Sequence, residues 1–231
     1  MSMKTRRNIS ILLCICIGWC LLVGINGRTL STQGPVAAPS ILLDPGHGGE
    51  DGGTAASDGT LEKNINLAIA LDLRDLLQIC GFPVSMTRDV DISIHDAGNT
   101  TARQKKVSDM QNRLKLYEQA HTVIAIHQNH YGVSKYKGAQ VFYSANHEAG
   151  QTLATSIQQS ISQRLQTDNT RQIKKATDGI FLLHHTKRPA VLVECGFLSN
   201  PEELALLKMP VYQQQIAFCV MAGYFEYMVQ E

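Results

Sequence analysis

Acidic residues are absent from the amino-terminal fifth of this chain. No Asp or Glu precedes Asp44, whereas residues 1–27 carry Lys4, Arg6 and Arg7. Once those three are set aside, 18 of the 21 Lys and Arg residues balance 20 Asp and Glu, and the whole 231-residue chain has a formal charge of +1. This near-neutral balance excludes a nucleic-acid-binding protein that depends on a strongly basic face. The apolar fraction of 44% excludes a mostly disordered chain.

Cysteine is also scarce. Six residues in 231 are too few for a disulfide scaffold, and three of them lie before residue 21. The other three, Cys80, Cys195 and Cys219, are an odd number without a framework spacing, so we expect no essential disulfide. The length suits one domain that is large enough to bury a core.

The acid-free amino terminus has the pattern of a targeting segment. A basic start is followed by an apolar run over residues 9–25, which is typical of an export signal. Its 17 residues leave both a cleaved signal peptide and a retained membrane anchor open. Residues 28–40 are small, polar and interrupted by two prolines, and we interpret them as a linker. We therefore expect residues 41–231 to form a catalytic domain exported across the cytoplasmic membrane, into the cell wall or spore cortex space.

Strand and helix patterns alternate along residues 41–231. Short apolar runs predict strands at residues 41–43, 84–86, 123–126, 139–143 and 190–193. Helical spacing of apolar residues predicts helices over 62–80 and 213–229, with two more between 107 and 117 and between 153 and 165. This alternation indicates an α/β domain with a largely parallel sheet covered on both faces.

Unusual side chains follow three of these strands. His47 comes shortly after the first strand, His127 follows the third, and Glu194 follows the last. Glu62 opens the helix after a glycine-rich loop, which can fold back and bring helix start and strand end together. Ligands of α/β proteins gather at the carboxyl ends of the strands.

Two His and one carboxylate are a known ligand set for catalytic zinc, which lowers the pKa of its bound water to about 7. In that interpretation His47, Glu62 and His127 hold the ion, and Glu194 carries the proton from water to a leaving nitrogen. From the residues alone a structural role for both His stays open, because the chain has no H-E-x-x-H motif. Cys195 has two possible roles. It could form a Cys–His nucleophile with His127, or it could be a small buried residue of the strand.

Four segments in order, ILLDPGHGGEDGG, LEKNINLAIAL, VIAIHQN and RPAVLVECGFLSNPEE, resemble the zinc-dependent N-acetylmuramoyl-L-alanine amidases of the amidase-3 family. The resemblance implies a twisted mixed sheet of about six strands flanked by helices. It implies His47, Glu62 and His127 as Zn²⁺ ligands and Glu194 as the catalytic acid and base. We expect Asp44 to orient His47, and Asn129 to fix a loop or to hydrogen-bond the substrate.

The layout, with one catalytic domain and no wall-binding repeats, is similar to the CwlD-type germination-specific amidases of spore-forming bacteria. That resemblance implies removal of stem peptides from cortex peptidoglycan, the step that allows muramic-δ-lactam to form. Expected partners are peptidoglycan and an activating accessory protein, with no nucleic acid, and the chain is expected to be a monomer or weak dimer. A general autolysin, a zinc hydrolase of another wall amide and an inactive wall-binding regulatory module stay open as alternatives.

Overall fold

The computed structural model describes residues 40–230. The predicted targeting segment, residues 1–27, and the predicted linker, apart from Ser40, lie outside the described residues. The strands are β1 (Ile41–Pro45), β2 (Val84–Met86), β3 (Thr122–Asn129), β4 (Gln140–Tyr143), β5 (Lys174–Lys175) and β6 (Ala190–Phe197). The helices are α1 (Glu62–Ile79), α2 (Ala102–Tyr117), α3 (Ala149–Arg164), α4 (Phe181–His185), α5 (Pro201–Leu207) and α6 (Pro210–Met228).

The strands form a mixed sheet in the order β2-β1-β3-β6-β4-β5. Strands β2, β1, β3 and β6 are parallel to one another, and β4 runs antiparallel to β6. The predicted mixed, largely parallel sheet of about six strands is thus confirmed. Because β1, β3 and β6 are parallel neighbours, their carboxyl ends lie side by side at one edge of the sheet.

Helices cover both faces of the sheet. Helices α1, α3 and α6 bury the larger core, which includes Ile69 and Leu73 of α1 and Ile157 of α3. The apolar residues of α1 recur at four-residue steps, and this spacing places them on the one helix face that packs against the sheet. The opposite face carries a smaller core, in which Tyr117 of α2 and Leu183 of α4 pack near Val123.

Two strands run further than their apolar runs predict. Strand β3 ends at Asn129 rather than at residue 126, and β6 ends at Phe197 rather than at residue 193. His127 and Glu194 therefore lie inside strands, where the backbone ladder continues while their polar side chains leave the core. A strand predicted from an apolar run ends at the first polar residue, and for this reason both predicted strands are shorter than the observed ones.

Three short elements escape the sequence patterns. Strand β5 has two residues, and helices α4 and α5 have five and seven, too few to show a helical period. Within residues 40–230, no helix combines the length and the apolar character that a membrane crossing requires.

Candidate active site

His47 follows β1 in a left-handed backbone conformation. Its φ is 63°, and within residues 40–230 it is the only non-glycine residue with a positive φ. An L-residue rarely adopts this conformation, so the surroundings must hold it. Its Nδ1 lies 3.1 Å from Asp51 Oδ1, and its Nε2 lies 3.3 Å from Glu62 Oε2. Asp51 thus fixes the ring so that Nε2 faces the centre of the site.

Glu62 is the first residue of α1 and is 2% exposed. The glycine-rich loop before it folds back, as predicted. The Glu62 amide donates to Thr54 O at 2.9 Å, and the Lys63 amide donates to Gly52 O at 3.2 Å. The N-cap residue of α1, Leu61, has no side chain that can accept a hydrogen bond, so these loop carbonyls accept from the first N–H groups of the helix instead. The Thr54 amide in turn donates to Glu62 Oε2 at 3.0 Å, and the helix amino terminus favours this buried negative charge.

The other oxygen of Glu62 faces β3. Glu62 Oε1 accepts from the Gln128 amide at 3.1 Å and from Asn66 Nδ2 at 3.2 Å. His127 Nδ1 lies 3.0 Å from the same oxygen. The carboxylate is therefore fixed from three elements, and each of its oxygens faces a different imidazole.

His47, Glu62 and His127 form a compact donor cluster. One ligand atom from each residue lies within 4.8 Å of the other two. Two neutral imidazole nitrogens and one carboxylate oxygen are the donors that catalytic zinc takes, with further positions left for water and substrate. The residues present therefore fit a zinc ion, and the carboxylate that would neutralise part of its charge is already buried between the two rings.

The electrostatics of this cluster favour positive charge. Burial lowers the pKa of His47, but its hydrogen bonds to Asp51 and Glu62 outweigh burial and raise that pKa to about 9. Burial raises the pKa of Glu62, but the hydrogen bonds to His127 and His47 outweigh it and hold that pKa below its usual range. A proton and a metal cation compete for such a site, and the same negative field attracts both.

Glu194 stands beside the cluster without joining it. Its Cα pairs with that of His127 in the parallel register of β3 and β6. Its Oε2 is buried and, within the described part of the chain, has no hydrogen-bond partner. Burial raises its pKa to about 7, although His127 and His47 lower it. A carboxyl group with this pKa exchanges a proton readily near neutral pH.

Two glycines press against the donor cluster. A Cβ at Gly46 would lie 2.1 Å from His127 Cε1 and 2.2 Å from its Nε2. A Cβ at Gly53, whose φ is +66°, would lie 2.7 Å from Glu62 Oε2 and from His47 Cδ2. Positions 46 and 53 therefore require glycine, because any side chain there would overlap the imidazole of His127 or that of His47.

Asp44 is buried, and its carboxylate contacts groups other than the imidazole of His47, which the prediction expected it to orient. Its carboxylate accepts from Thr87 Oγ1 and Tyr117 OH, both at 2.6 Å, and pairs with Arg113. Burial raises its pKa, but the charge of Arg113 and the hydrogen bonds from Thr87 and Tyr117 together outweigh burial and hold the pKa below its usual range. Arg113 also donates to His47 O at 2.8 Å, so Asp44 acts on His47 through Arg113 rather than by binding the imidazole.

Asn129 ends β3, where the register with β6 shifts, and its main-chain carbonyl accepts from the Leu198 amide at 2.8 Å. That contact involves the main chain alone, so both roles of the Asn129 side chain, fixing a loop and contacting the substrate, stay predictions. Cys195 is fully buried in the larger core, and burial raises the pKa of its thiol. Successive strand residues point to opposite faces, so Cys195 faces away from Glu194 and the cleft. The Cys–His nucleophile is therefore wrong, and the buried strand residue is confirmed.

Two cavities adjoin His47, and Lys106 lines both of them. One of about 320 Å³ extends from His47 and His127 to apolar walls on α2 and α4, including Met110 and Phe181. The other, of about 260 Å³, is lined by His47 and mostly polar residues. Space for a substrate therefore lies next to the donor cluster. Sequence reasoning missed Asp51, because nothing in the local pattern shows which carboxylate a loop turns toward an imidazole.

Comparison with known proteins identifies close relatives. A family model described as N-acetylmuramoyl-L-alanine amidase, Amidase_3, matches residues 41–224. The germination-specific N-acetylmuramoyl-L-alanine amidase of Bacillus subtilis is 37% identical over 199 residues, covering 85% of this chain and 83% of the relative. The CwlD amidase of Clostridioides difficile, solved in complex with the GerS lipoprotein, superposes with a TM-score of 0.81 at 38% identity, covering 84% of this chain and all of that one. An N-acetylmuramoyl-L-alanine amidase of Clostridium difficile 630 gives a TM-score of 0.72 at 27% identity, over 84% of this chain and 98% of that one.

Proposed function

This chain belongs to the N-acetylmuramoyl-L-alanine amidase family, and we propose that it hydrolyses the amide between N-acetylmuramic acid and L-alanine of peptidoglycan in a zinc-dependent reaction. The observation that carries the zinc dependence is the convergence of His47, Glu62 and His127. Beside them lies the carboxyl group of Glu194, whose buried Oε2 has no hydrogen-bond partner within the described residues. Peptidoglycan as substrate follows from the family and from the named relatives.

The residues divide into holders of the ion and a carrier of the proton. His47, Glu62 and His127 would hold zinc, which when bound supplies Lewis-acid polarisation of the scissile carbonyl and an acidified water. Glu194 is outside the donor set, so its carboxylate takes the proton of the attacking water. It then donates that proton to the amine of the leaving L-alanine. Asp51 keeps the His47 ring oriented throughout.

Two substitutions separate these roles. Glu194→Gln is expected to keep the zinc content of the wild type while losing hydrolysis by several orders of magnitude, because the shape stays and only the proton carrier is removed. His127→Ala is expected to lose both zinc and hydrolysis. Zinc is measured by elemental analysis of purified protein, and Glu226→Gln, at an exposed ion pair with Arg164, is the matched control. Full activity of a chelator-treated, metal-free sample would contradict the zinc dependence.

Product analysis separates the alternatives. Free stem peptides that begin with an L-alanine amine identify the predicted amidase, whereas cleavage at another position identifies a different wall-amide hydrolase. An inactive regulatory module would release no peptide. These products are read by mass spectrometry of digested peptidoglycan.

We propose further that the reaction belongs to spore-cortex maturation and leads to muramic-δ-lactam. The support is the germination-specific relative, which matches most of both chains. Deleting the gene is expected to remove muramic-δ-lactam from the cortex and to leave vegetative peptidoglycan unchanged. An unchanged cortex together with altered vegetative wall would favour a general autolysin.

Export and an accessory protein complete the proposal. The basic and apolar pattern of residues 1–27 supports export across the cytoplasmic membrane. A reporter enzyme that is active only outside the membrane, fused after residue 40, tests this. The CwlD amidase of C. difficile was solved with a lipoprotein, and we propose that an accessory protein likewise binds this chain. A defined ratio of the two proteins on co-expression would support it, and full zinc content and activity of the isolated chain would contradict the need for it.

A further inference from the structure

Two buried arginines converge on the three carbonyl groups that surround His47. Arg88, just after β2, donates from Nε to Pro45 O and from Nη2 to Gly46 O, both at 3.0 Å. Arg113 of α2 donates from Nη2 to His47 O at 2.8 Å and from Nη1 to Pro45 O at 3.2 Å. Arg88 is 2% exposed and Arg113 is 1% exposed. Three consecutive carbonyls are thus fixed by two planar donors from different elements.

The segment they hold is the strained one. His47 has a φ of 63°, and such a conformation costs of order 1–3 kcal/mol unless its surroundings impose it. Backbone hydrogen bonds hold the two neighbours of His47, since the Gly46 amide donates to Ile126 O at 3.0 Å and the Gly48 amide donates to Asp51 O at 2.9 Å. The arginine hydrogen bonds to the carbonyls of Pro45, Gly46 and His47 add to these contacts and fix the main chain that carries the imidazole.

Arg88 also connects the loop that carries His47 with the helix that carries Glu62. Its Nη2 donates to Lys63 O at 2.9 Å, in the first turn of α1, while it donates to Gly46 O. Lys63 follows Glu62 and Gly46 precedes His47 in the chain. One guanidinium thereby fixes the distance between the loop that carries an imidazole and the helix that carries the carboxylate.

Acidic residues hold Arg113 in place. Asp109 Oδ2 accepts from Arg113 Nε at 2.6 Å, and Asp44 pairs with Nη1. Tyr117 and Thr87 donate to the oxygens of Asp44 and complete its hydrogen bonding. The orientation of the guanidinium is therefore determined by groups that do not touch the donor cluster.

We propose that Arg88 and Arg113 are positioning residues that preset the metal site by fixing the main chain of His47 relative to Glu62. The inference rests on the proposed zinc function. A preset site loses less freedom when the ion binds, so its affinity depends on these two guanidinium groups. Residues around the ligands of metal sites change the affinity by about 10–100-fold when they are replaced.

The test measures zinc affinity and folding stability separately. Arg113→Lys keeps the charge, but one ammonium group cannot serve His47 O, Asp44 and Asp109 in a fixed fork. We expect the zinc Kd, measured by chelator competition on metal-depleted protein, to rise about 10–100-fold. Arg88→Lys is expected to act in the same direction, and hydrolysis at saturating zinc is expected to return in both variants, because neither side chain touches the reacting groups.

A remote buried residue supplies the control. Gln158 of α3 accepts from the Val141 amide at 2.9 Å and donates to Ala139 O at 3.1 Å, in contact with β4 rather than with His47. Gln158→Leu is expected to lower the unfolding free energy in urea and to leave the zinc Kd unchanged. If Arg113→Lys does not fold, Tyr117→Phe removes only the hydroxyl that orients Asp44 and should raise the Kd a few-fold.

The outcomes are distinct. A wild-type chain that binds no zinc, even when it is co-expressed with its accessory protein, contradicts the proposed function itself. A wild-type chain that binds zinc, with folded Arg88→Lys and Arg113→Lys variants (or a folded Tyr117→Phe) of wild-type affinity, overturns the positioning role alone. An equal rise of Kd in Gln158→Leu would also overturn it, because the effect would then follow from lost stability.

Discussion

Replacing Gly46 by alanine should remove one of the zinc ligands without unfolding the protein. The new Cβ would stand 2.1 Å from His127 Cε1 and 2.2 Å from Nε2, where ordinary contacts are 3.4–4 Å. The imidazole must therefore move by more than about 1 Å, which close-packed surroundings do not absorb by compression. Since the His127 side chain is 20% exposed, its ring can turn outward into the cleft.

The magnitudes for Gly46→Ala follow from this displacement. Overpacking costs typically about 1–3 kcal/mol, and restricting the unfolded chain returns about 0.4–1 kcal/mol, so the net loss of stability is at most about 2.6 kcal/mol, below the roughly 5–15 kcal/mol that holds a domain folded. Turning the ring withdraws His127 Nδ1 from its place 3.0 Å from Glu62 Oε1. Loss of a ligand should weaken zinc binding beyond the roughly 100-fold limit of changes around the ligands.

Chelator competition on metal-depleted protein measures the zinc Kd, and urea unfolding measures the stability. Gly132→Ala is the matched control, because a Cβ at Gly132 would meet no atom within 4 Å. The control should keep the wild-type zinc Kd. A Gly46→Ala variant that binds zinc within about threefold of the wild type would refute the reasoning, since the ring would then have found room that the structure does not show.

Three further substitutions test other contacts. Asp51→Asn should raise the zinc Kd about 10–100-fold, because a neutral amide replaces the carboxylate that orients His47; chelator competition measures it, with Asp58→Asn as an exposed control. Gly223→Ala should lower the unfolding free energy in urea by about 1–3 kcal/mol, because a Cβ would lie 2.6 Å from the Cα of Ile157, and this cost exceeds the gain of up to about 1 kcal/mol in helix propensity. Cys195→Ala should keep zinc and hydrolysis at a stability cost of about 1 kcal/mol, and loss of hydrolysis in the folded variant would contradict its assignment to the core.

The sequence predicts the α/β architecture because apolar periodicity survives in single elements. Helix α1 buries Ile65, Ile69, Leu73 and Leu77 at four-residue steps, a pattern that no strand produces. Periodicity and chain order also place His47, Glu62 and His127 after a strand or at a helix start. They leave a structural role for both His open, and it is the family resemblance that implies these three residues as zinc ligands.

The surroundings of the donors were not predictable in the same way. Asn66 donates to Glu62 Oε1, and Arg88 reaches Pro45 O across 43 positions of sequence. Such contacts depend on loop conformation and on side-chain direction, and neither leaves a periodic signal. Asp44 shows the same limit, because its position after β1 is visible in the sequence but its partner Arg113 is 69 residues away.

Two glutamates beside His127 therefore acquire different roles from their surroundings. Glu62 accepts hydrogen bonds from Thr54, Asn66 and Gln128, so it stays ionised and suits an ion. Glu194 is partly buried, its Oε2 is buried with no hydrogen-bond donor within the described residues, and burial raises its pKa to about 7. Environments that separate the pKa values of two carboxyl groups assign acid and base roles in enzymes. Here the separation follows from the fold, because the helix amino terminus and the loop amides reach Glu62, whereas the mid-strand position of Glu194 provides it with no such donors.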